Sequence, residues 1–249
     1  MNPPTLLITG ASRGIGAATA RLAASRGWDV AVNYTQDEAA AQAVAADVRA
    51  SGQRALVLKG DVGVEADVVV LFAAVDREWG GLGGLVNNAG VVDVAARVDE
   101  MSSARLQRMF NINVLGTMWA AREAVRRMST RHGGKGGVIV NLSSAAAKLG
   151  SPGQYVDYAA AKGAVDAFTL GLAREVAGEG IRVNAVRPGI IDTDIHASGG
   201  QPGRAAQLAP MVPMQRSGSA QEVAQAIVWL LSAESSYTTG SVVDVTGGR

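Results

Sequence analysis

The sequence predicts an α/β fold, a doubly wound parallel sheet of about seven strands with helices on both faces. Three observations carry that prediction. Short apolar runs alternate along the chain with longer, alanine-rich stretches of helical period, the signature of repeated βα units. Glycines, asparagines and hydroxyl residues recur where those apolar runs end, the edge at which such sheets bind ligands. The 249 residues, 48% of them hydrophobic, suffice for one large core, and no repeat, low-complexity tract or linker divides them, so a single domain over 1–249 is expected.

Taken in order, residues 5–9 form the first apolar run and lead into Gly10, Ser12, Arg13, Gly14, Ile15 and Gly16, ahead of an alanine-rich helix over 17–26. A strand, glycine turn and helix in succession let the backbone turn tightly and let a phosphate approach the amides of a helix N-terminus. The spacing, G-x-x-x-G-x-G, differs from the common dinucleotide fingerprint G-x-G-x-x-G. Further strands are expected at 28–34, 54–59, 84–88, 138–142, 181–186 and 241–245, and helices at 37–50, 64–79, 102–130, 158–177 and 220–232. Ser102 suits an N-cap. Asn111, Asn113 and Gly116 interrupt the apolar face of the 102–130 helix. Interior asparagines are poor helix formers, and either plain exposure or a carbonyl freed to bind water would account for them. Asp61, Asn87, Ser144 and the pair Pro188-Gly189 all fall at carboxyl ends of strands.

A net charge of +1 offers no electrostatic footprint for nucleic acid or an anionic membrane. With no cysteine, disulfides, thiolate metal sites and a Cys nucleophile are excluded. The apolar run before Gly10 is too short for a signal segment or a membrane span, so a cytoplasmic protein is expected.

Tyr158 and Lys162 stand four residues apart in an alanine-rich helix and so share a face. A phenol beside an ammonium in a partly dry site should have its pKa drawn down from roughly 10 towards working pH, making Tyr158 a general acid or base.

The chain resembles the short-chain dehydrogenase/reductase family over essentially its whole length. In pattern it is similar to NADP-dependent members such as 3-oxoacyl-(acyl-carrier-protein) reductases and glucose 1-dehydrogenases. The matching stretches are Thr9 to Gly16 (TGASRGIG), Asn87 to Gly90 (NNAG), Asn113, Asn141 to Ser144 (NLSS), Tyr158-x-x-x-Lys162, and Pro188-Gly189 with Thr193. The resemblance implies a Rossmann-type fold and hydride transfer between a nicotinamide cofactor and an alcohol/carbonyl carbon. Tyr158 would exchange the proton and Ser144 would polarise the substrate oxygen. Lys162 would hold the nicotinamide ribose and lower the Tyr158 pKa, and Asn113 would anchor a water relaying protons to Lys162. In many relatives the serine lies thirteen residues before the tyrosine; here that position is Ala145, so Ser144 is assigned and Ser143 stands as the alternative.

The resemblance also implies cofactor contacts along the whole sheet edge. The glycine turn from Gly10 to Gly16 would hold the phosphates, Tyr34, Asp61 and Val62 would flank the adenosine half, and Asn87, Ala89 and Gly90 the middle. Tyr158, Lys162, Pro188, Gly189, Ile191 and Thr193 would surround the nicotinamide. At the tip of the second strand Tyr34 stands where NAD-selective relatives carry an acid, and Arg13 is placed to pair with a 2′-phosphate. NADP is therefore expected, with NAD still possible. Asp37 is the counter-indication, either as an NAD-type acid or, favoured, as part of the first turn of the following helix.

The segment 193–217, rich in Gly, Pro and Met, is expected to form a substrate lid and an adaptable apolar pocket wall. Asp192, Asp194 and His196 have the spacing of a metal site, but a substrate loop explains them and no metal is expected. His132 and the basic helix end Arg122, Arg126, Arg127 and Arg131 read as solvated faces. Arg131 and Arg174 resemble arginines with which acyl-carrier reductases dock their acidic carrier, so acyl carrier protein is a possible partner beside a small-molecule alcohol or carbonyl. Family members of this length imply a homotetramer or dimer. A non-catalytic NADP-binding regulatory protein would have a damaged Ser/Tyr/Lys set, and here the set is intact.

Overall fold

A computed structural model describing residues 4–195 and 199–249 shows a chain built on strands β1 (Thr5–Ile8), β2 (Asp29–Tyr34), β3 (Ala55–Lys59), β4 (Gly84–Asn87), β5 (Gly137–Leu142), β6 (Ile181–Pro188), β7 (Ile191–Asp192), β8 (Gly218–Ser219) and β9 (Val242–Val245). Seven of them form one parallel sheet in the order β3-β2-β1-β4-β5-β6-β9. The two short strands β7 and β8 pair separately, Ile191 with Gly218 and Asp192 with Ser219. Runs of two residues are below what sequence periodicity can register.

Between the strands lie α1 (Gly14–Ser25), α2 (Glu38–Ala50), α3 (Glu65–Trp79), α4 (Ser103–Phe110), α5 (Gly116–Met128), α6 (Ala146–Leu149), α7 (Val156–Val176), α8 (Arg204–Leu208) and α9 (Ala220–Leu231). The period of two within the strands sets the layers. Leu6, Ile8, Val30, Val32 and Val140 pack with α1, α2 and α9 on one face, while Leu7, Ala31, Leu85 and Ile139 pack with α3, α5 and α7 on the other. Each fully buried Leu or Ile contributes about 2 kcal/mol, so the central strands are held from both sides. The chain winds outward from β1 to β3, then crosses back so that β4 lies on the other side of β1. That reversal of strand order opens a crevice at the carboxyl ends of β1 and β4.

Local chemistry starts the helices as the sequence predicts. The Ser102 hydroxyl accepts from the Arg105 N–H at 3.2 Å, and Ser219 with Glu222 forms a reciprocal capping box. The helix expected over 102–130 is not one α-helix, however. A π-helical turn, Asn111–Leu115, separates α4 from α5, and α5 ends at Met128 before a 3-10 turn over Thr130–His132. Among the described residues of the expected lid, and beside it, lie β7, α8 and β8.

Candidate active site

The crevice begins with the glycine turn, and its shape is set by neighbours distant in sequence. Gly10 and Gly14 have φ of +60° and +55°, a conformation glycine adopts without strain. The Asn88 side-chain amide donates to the carbonyls of Thr9 (2.9 Å) and Gly10 (2.8 Å), while the Thr9 hydroxyl accepts from the N–H groups of Asn88 and Ala89. From the other side Asn33 Oδ1 accepts from the Gly10 N–H at 3.1 Å. A Cβ on Gly16 would lie 2.5 Å from the Asn88 amide nitrogen, so no larger residue fits there. Asn88 and Asn33 were not singled out from the sequence; an asparagine inside the apolar run of β2 was the available signal.

Ser12 and Ile15 are half-buried along the turn, and Arg13 lies exposed at the N-terminus of α1. Thr193 comes across the crevice to within 3.6 Å of where a Gly14 Cβ would stand. Pro188 and Ile191 are buried, and Gly189 packs so closely on Thr246 that a Cβ would be 2.8 Å from its Cα. Tyr34 is buried in the core, with burial and its bond to Glu38 raising the phenol pKa. The Asp37 carboxylate accepts from the Ala40 N–H at 2.9 Å and so caps α2. Asp61 accepts from the Gly63 N–H, and Val62 is buried with its carbonyl against Gly116. The Asn87 side chain points into the protein, donating to Asn141 (2.9 Å) and the Thr117 carbonyl (3.3 Å). A cofactor contact from Asn87 is thus confined to its backbone.

At the other end of the crevice three elements meet. Gly90 follows β4, and a Cβ on it would be 2.8 Å from Asn113 Oδ1 and 3.5 Å from Lys162 Nζ. The glycine therefore leaves a cradle that a side chain would fill, and with the glycine turn it suits an extended dinucleotide. Asn113 is wholly buried; its amide donates to the carbonyls of Val91 (3.1 Å) and Met109 (3.0 Å), and its Oδ1 accepts from the Val91 N–H. The Asn113 main-chain carbonyl accepts from the Thr117 hydroxyl at 3.1 Å.

The two serines take different positions. Ser143 is buried and donates to the Lys162 carbonyl at 3.2 Å, whereas Ser144 is half-buried at the end of β5 and hydrogen-bonds Tyr158. Lys162 is buried and donates to the Leu142 carbonyl at 2.7 Å, its Nζ 5.7 Å from the centre of the Tyr158 ring. Burial pushes the Tyr158 phenol up to about 12, against a smaller downward pull from Ser144. The same burial pushes Lys162 down to about 8, with the Asp166 charge opposing. The expected fall in the Tyr158 pKa is thus reversed in the protein alone, because the dry site disfavours phenolate and the ammonium is turned toward a carbonyl.

Elsewhere the outcome is mixed. His132 is exposed as expected. Arg122, Arg126 and Arg127 are not simply a solvated face: all three bond the buried carboxylate of Glu123, and Arg127 and Arg122 also reach Asp76 and Glu65 on α3. Arg131 and Arg174 are exposed, Arg131 lying 3.9 Å from Glu179. His196 falls outside the described residues, and among those described no cluster of three metal-ligating side chains occurs. No described helix is long and apolar enough to cross a membrane. Two open clefts, of about 680 and 560 Å³, lie away from Tyr158, one against β5 and β6 near Gly137 and Ile181 and one near Ile190 and Arg249.

Comparison with known proteins gives the same family. The family model described as enoyl-(acyl carrier protein) reductase matches residues 10–249. The chain is 53% identical over 243 residues to the uncharacterized oxidoreductase YgfF of Escherichia coli K12, covering 98% of each. It is 37% identical over 245 residues to 3beta-hydroxysteroid dehydrogenase 1 of Eggerthella lenta, covering 98% of this chain and 92% of that one. Among solved structures, a short chain dehydrogenase from Burkholderia cenocepacia J2315 in complex with NADP superposes with a TM-score of 0.90 at 33% identity, covering 98% and 97% of the two chains. Fold, crevice and relatives agree, and the protein belongs to the short-chain dehydrogenase/reductase family of oxidoreductases.

Proposed function

We propose that the protein interconverts an alcohol and a carbonyl compound using NADP(H), with Tyr158 as the proton-exchanging group. The observation that carries this reading is the convergence of Ser144 on Tyr158 above the buried Lys162, beside the Gly90 cradle. When bound, the nicotinamide supplies or accepts the hydride. Ser144 orients and polarises the substrate oxygen, and the Tyr158 phenol delivers its proton as that oxygen gains charge. A phenol raised to about 12 keeps its proton through neutral pH, the state in which it can donate to a carbonyl oxygen. Lys162 supplies a cation to the ribose side, and the Asn113 main-chain carbonyl, which accepts from the Thr117 hydroxyl, lies in the π turn where a relaying water would be anchored.

NADP is favoured because the acid that would select NAD is absent from the strand tip. Tyr34 is turned into the core, Asp37 is committed to its helix cap, and Arg13 is exposed at the turn. The Burkholderia relative with bound NADP supports the same preference. A second reading, reduction of a carrier-bound 3-oxoacyl thioester, is supported by exposed Arg174 and Arg131 and by 36% identity to a 3-oxoacyl-(acyl-carrier-protein) reductase of Synechocystis.

The test follows oxidation of NADPH and, in parallel, NADH against simple ketones, aldehydes, a 3-oxosteroid and acetoacetyl thioesters. Tyr158→Phe should lower turnover by roughly 10²–10⁴-fold while NADPH binding, read by fluorescence, is kept. Unchanged turnover in that variant would remove Tyr158 from the chemistry. Faster turnover with NADH would overturn the cofactor assignment, and a thioester preference would promote the second reading.

A further inference from the structure

A row of alternating charges runs from the surface to the buried lysine. Lys148, exposed on α6 just past Ser144, pairs with Asp244 of β9. Asp244 also bonds Arg187 at 3.4 Å, and Arg187, next to the last residue of β6, donates to Asp166 Oδ2 from both Nε (2.9 Å) and Nη2 (2.8 Å). Asp166 and Arg187 side chains are only 14% and 15% exposed. The second carboxylate oxygen, Asp166 Oδ1, is buried with no hydrogen-bond partner in the protein. Asp166 stands one turn beyond Lys162 on α7, so the two side chains share a face, and its negative charge reaches the Lys162 amine.

An ion pair serving only to join β6 to α7 would have both carboxylate oxygens bonded, as in the Arg105–Asp157 pair at the start of α7, where Oδ1 and Oδ2 are each held. Here one oxygen is left bare in a dry place, an arrangement that costs stability unless its charge is used. We propose that Asp166, fixed by Arg187 and backed by Asp244 and Lys148, is a positioning residue that keeps the Lys162 amine charged beneath Tyr158. The inference rests on the reading of Tyr158 and Lys162 as the reacting pair.

The other groups around Lys162 supply no comparable charge. Tyr158 on α7 is a protonated phenol at neutral pH, β5 offers the Leu142 carbonyl, and the π turn offers the neutral amide of Asn113. From α4, Arg105 is bonded to Asp157, and on α5 the groups Arg122, Glu123, Arg126 and Arg127 bond one another and Glu65 and Asp76 of α3. From α6 and β6, Lys148 and Arg187 act through the row itself.

The experiment needs no cofactor. The chain has four lysines, Lys59, Lys135, Lys148 and Lys162, so ¹³Cε-lysine labelling gives four signals, with Lys162 assigned by its loss in Lys162→Arg. In the wild-type protein without cofactor the Lys162 signal should titrate near pH 8. In Asp166→Asn the midpoint should fall by at least about half a pH unit, and in Asp166→Glu it should return toward wild type. A wild-type measurement covers the case in which Asp166→Asn fails to fold: the Asp166 ¹³Cγ shift should show an inflection at the Lys162 midpoint. An unmoved Lys162 midpoint in Asp166→Asn, or an Asp166 carboxyl with no inflection there, overturns the proposal. Because no turnover is read, these results stand apart from Tyr158→Phe kinetics, which test the reading beneath it.

Discussion

At the residue scale, the two adjacent serines show how far spacing alone can go. Counting back from Tyr158 reaches Ala145, which has no hydroxyl, and leaves Ser144 and Ser143 both open. The tertiary structure decides between them. Just past the end of β5 the chain turns Ser143 to the Lys162 carbonyl and Ser144 to Tyr158. Ser144→Ala should lower turnover by roughly 10²-fold or more with stability little changed, because its hydroxyl bonds Tyr158, where the proposed reaction places the substrate oxygen. Ser143→Ala should keep turnover within a few-fold and lose about 1 kcal/mol of stability, because it leaves a buried carbonyl with one donor fewer. Steady-state kinetics and urea unfolding of the pair check this, and the reverse pattern would exchange the roles. The Tyr158 pKa was the residue-scale property the sequence misjudged. Helical spacing places an ammonium near a phenol, but burial and the direction of the amine set the sign.

The break between α4 and α5 belongs to the scale of the element. Asn111, Asn113 and Gly116 mark the place in the sequence, yet a π turn there depends on contacts no local pattern encodes. Gly116 lets the Val62 carbonyl come so close that a Cβ would stand 2.6 Å from it, and Asn113 clamps both main-chain groups of Val91. The extra residue in the turn directs Asn113 inward. Asn113→Ala should therefore destabilise the protein by about 2–3 kcal/mol, since it leaves the buried Val91 and Met109 groups without their partner. Denaturant unfolding at neutral pH reads this, and a change below a few tenths of a kcal/mol would mean that the clamp holds nothing. The arginines of α5 make a similar point. Helix position suggested solvation, but the buried Glu123 gathers three of them, and their bonds outweigh the burial that would otherwise raise its pKa.

Whole-molecule stability carries the mark of the buried lysine. Its pKa in the folded protein, about 8, lies below the 10.5 of an unburied lysine. Below pH 8 the folded state therefore holds an ammonium in a dry site at a cost; between about 8 and 10.5 the unfolded chain binds the extra proton, so stability rises with pH across that window. Tyr158, raised from 10.0 to about 12, acts in the opposite sense above pH 10, where only the unfolded chain loses the proton. Lys162→Met should accordingly stabilise the cofactor-free protein by about 2 kcal/mol at pH 7, with the gain mostly gone by pH 10, while abolishing turnover. Urea unfolding at the two pH values checks it, and a variant less stable at pH 7 would show that the amine's bond to Leu142 outweighs its burial. The sequence by itself determined the α/β class, the seven strands of the main sheet, most helix starts and the set of groups at the sheet edge, because periodicity, caps and glycine turns are local. Only the tertiary structure decided which serine meets Tyr158, that Asn87 and Tyr34 turn inward, that Asn33 and Asn88 hold the glycine turn, and that Arg187 holds Asp166 with one carboxylate oxygen left unbonded. Each of those depends on which distant segments pack together and how much water they exclude, and neither is written in the spacing of residues along one chain.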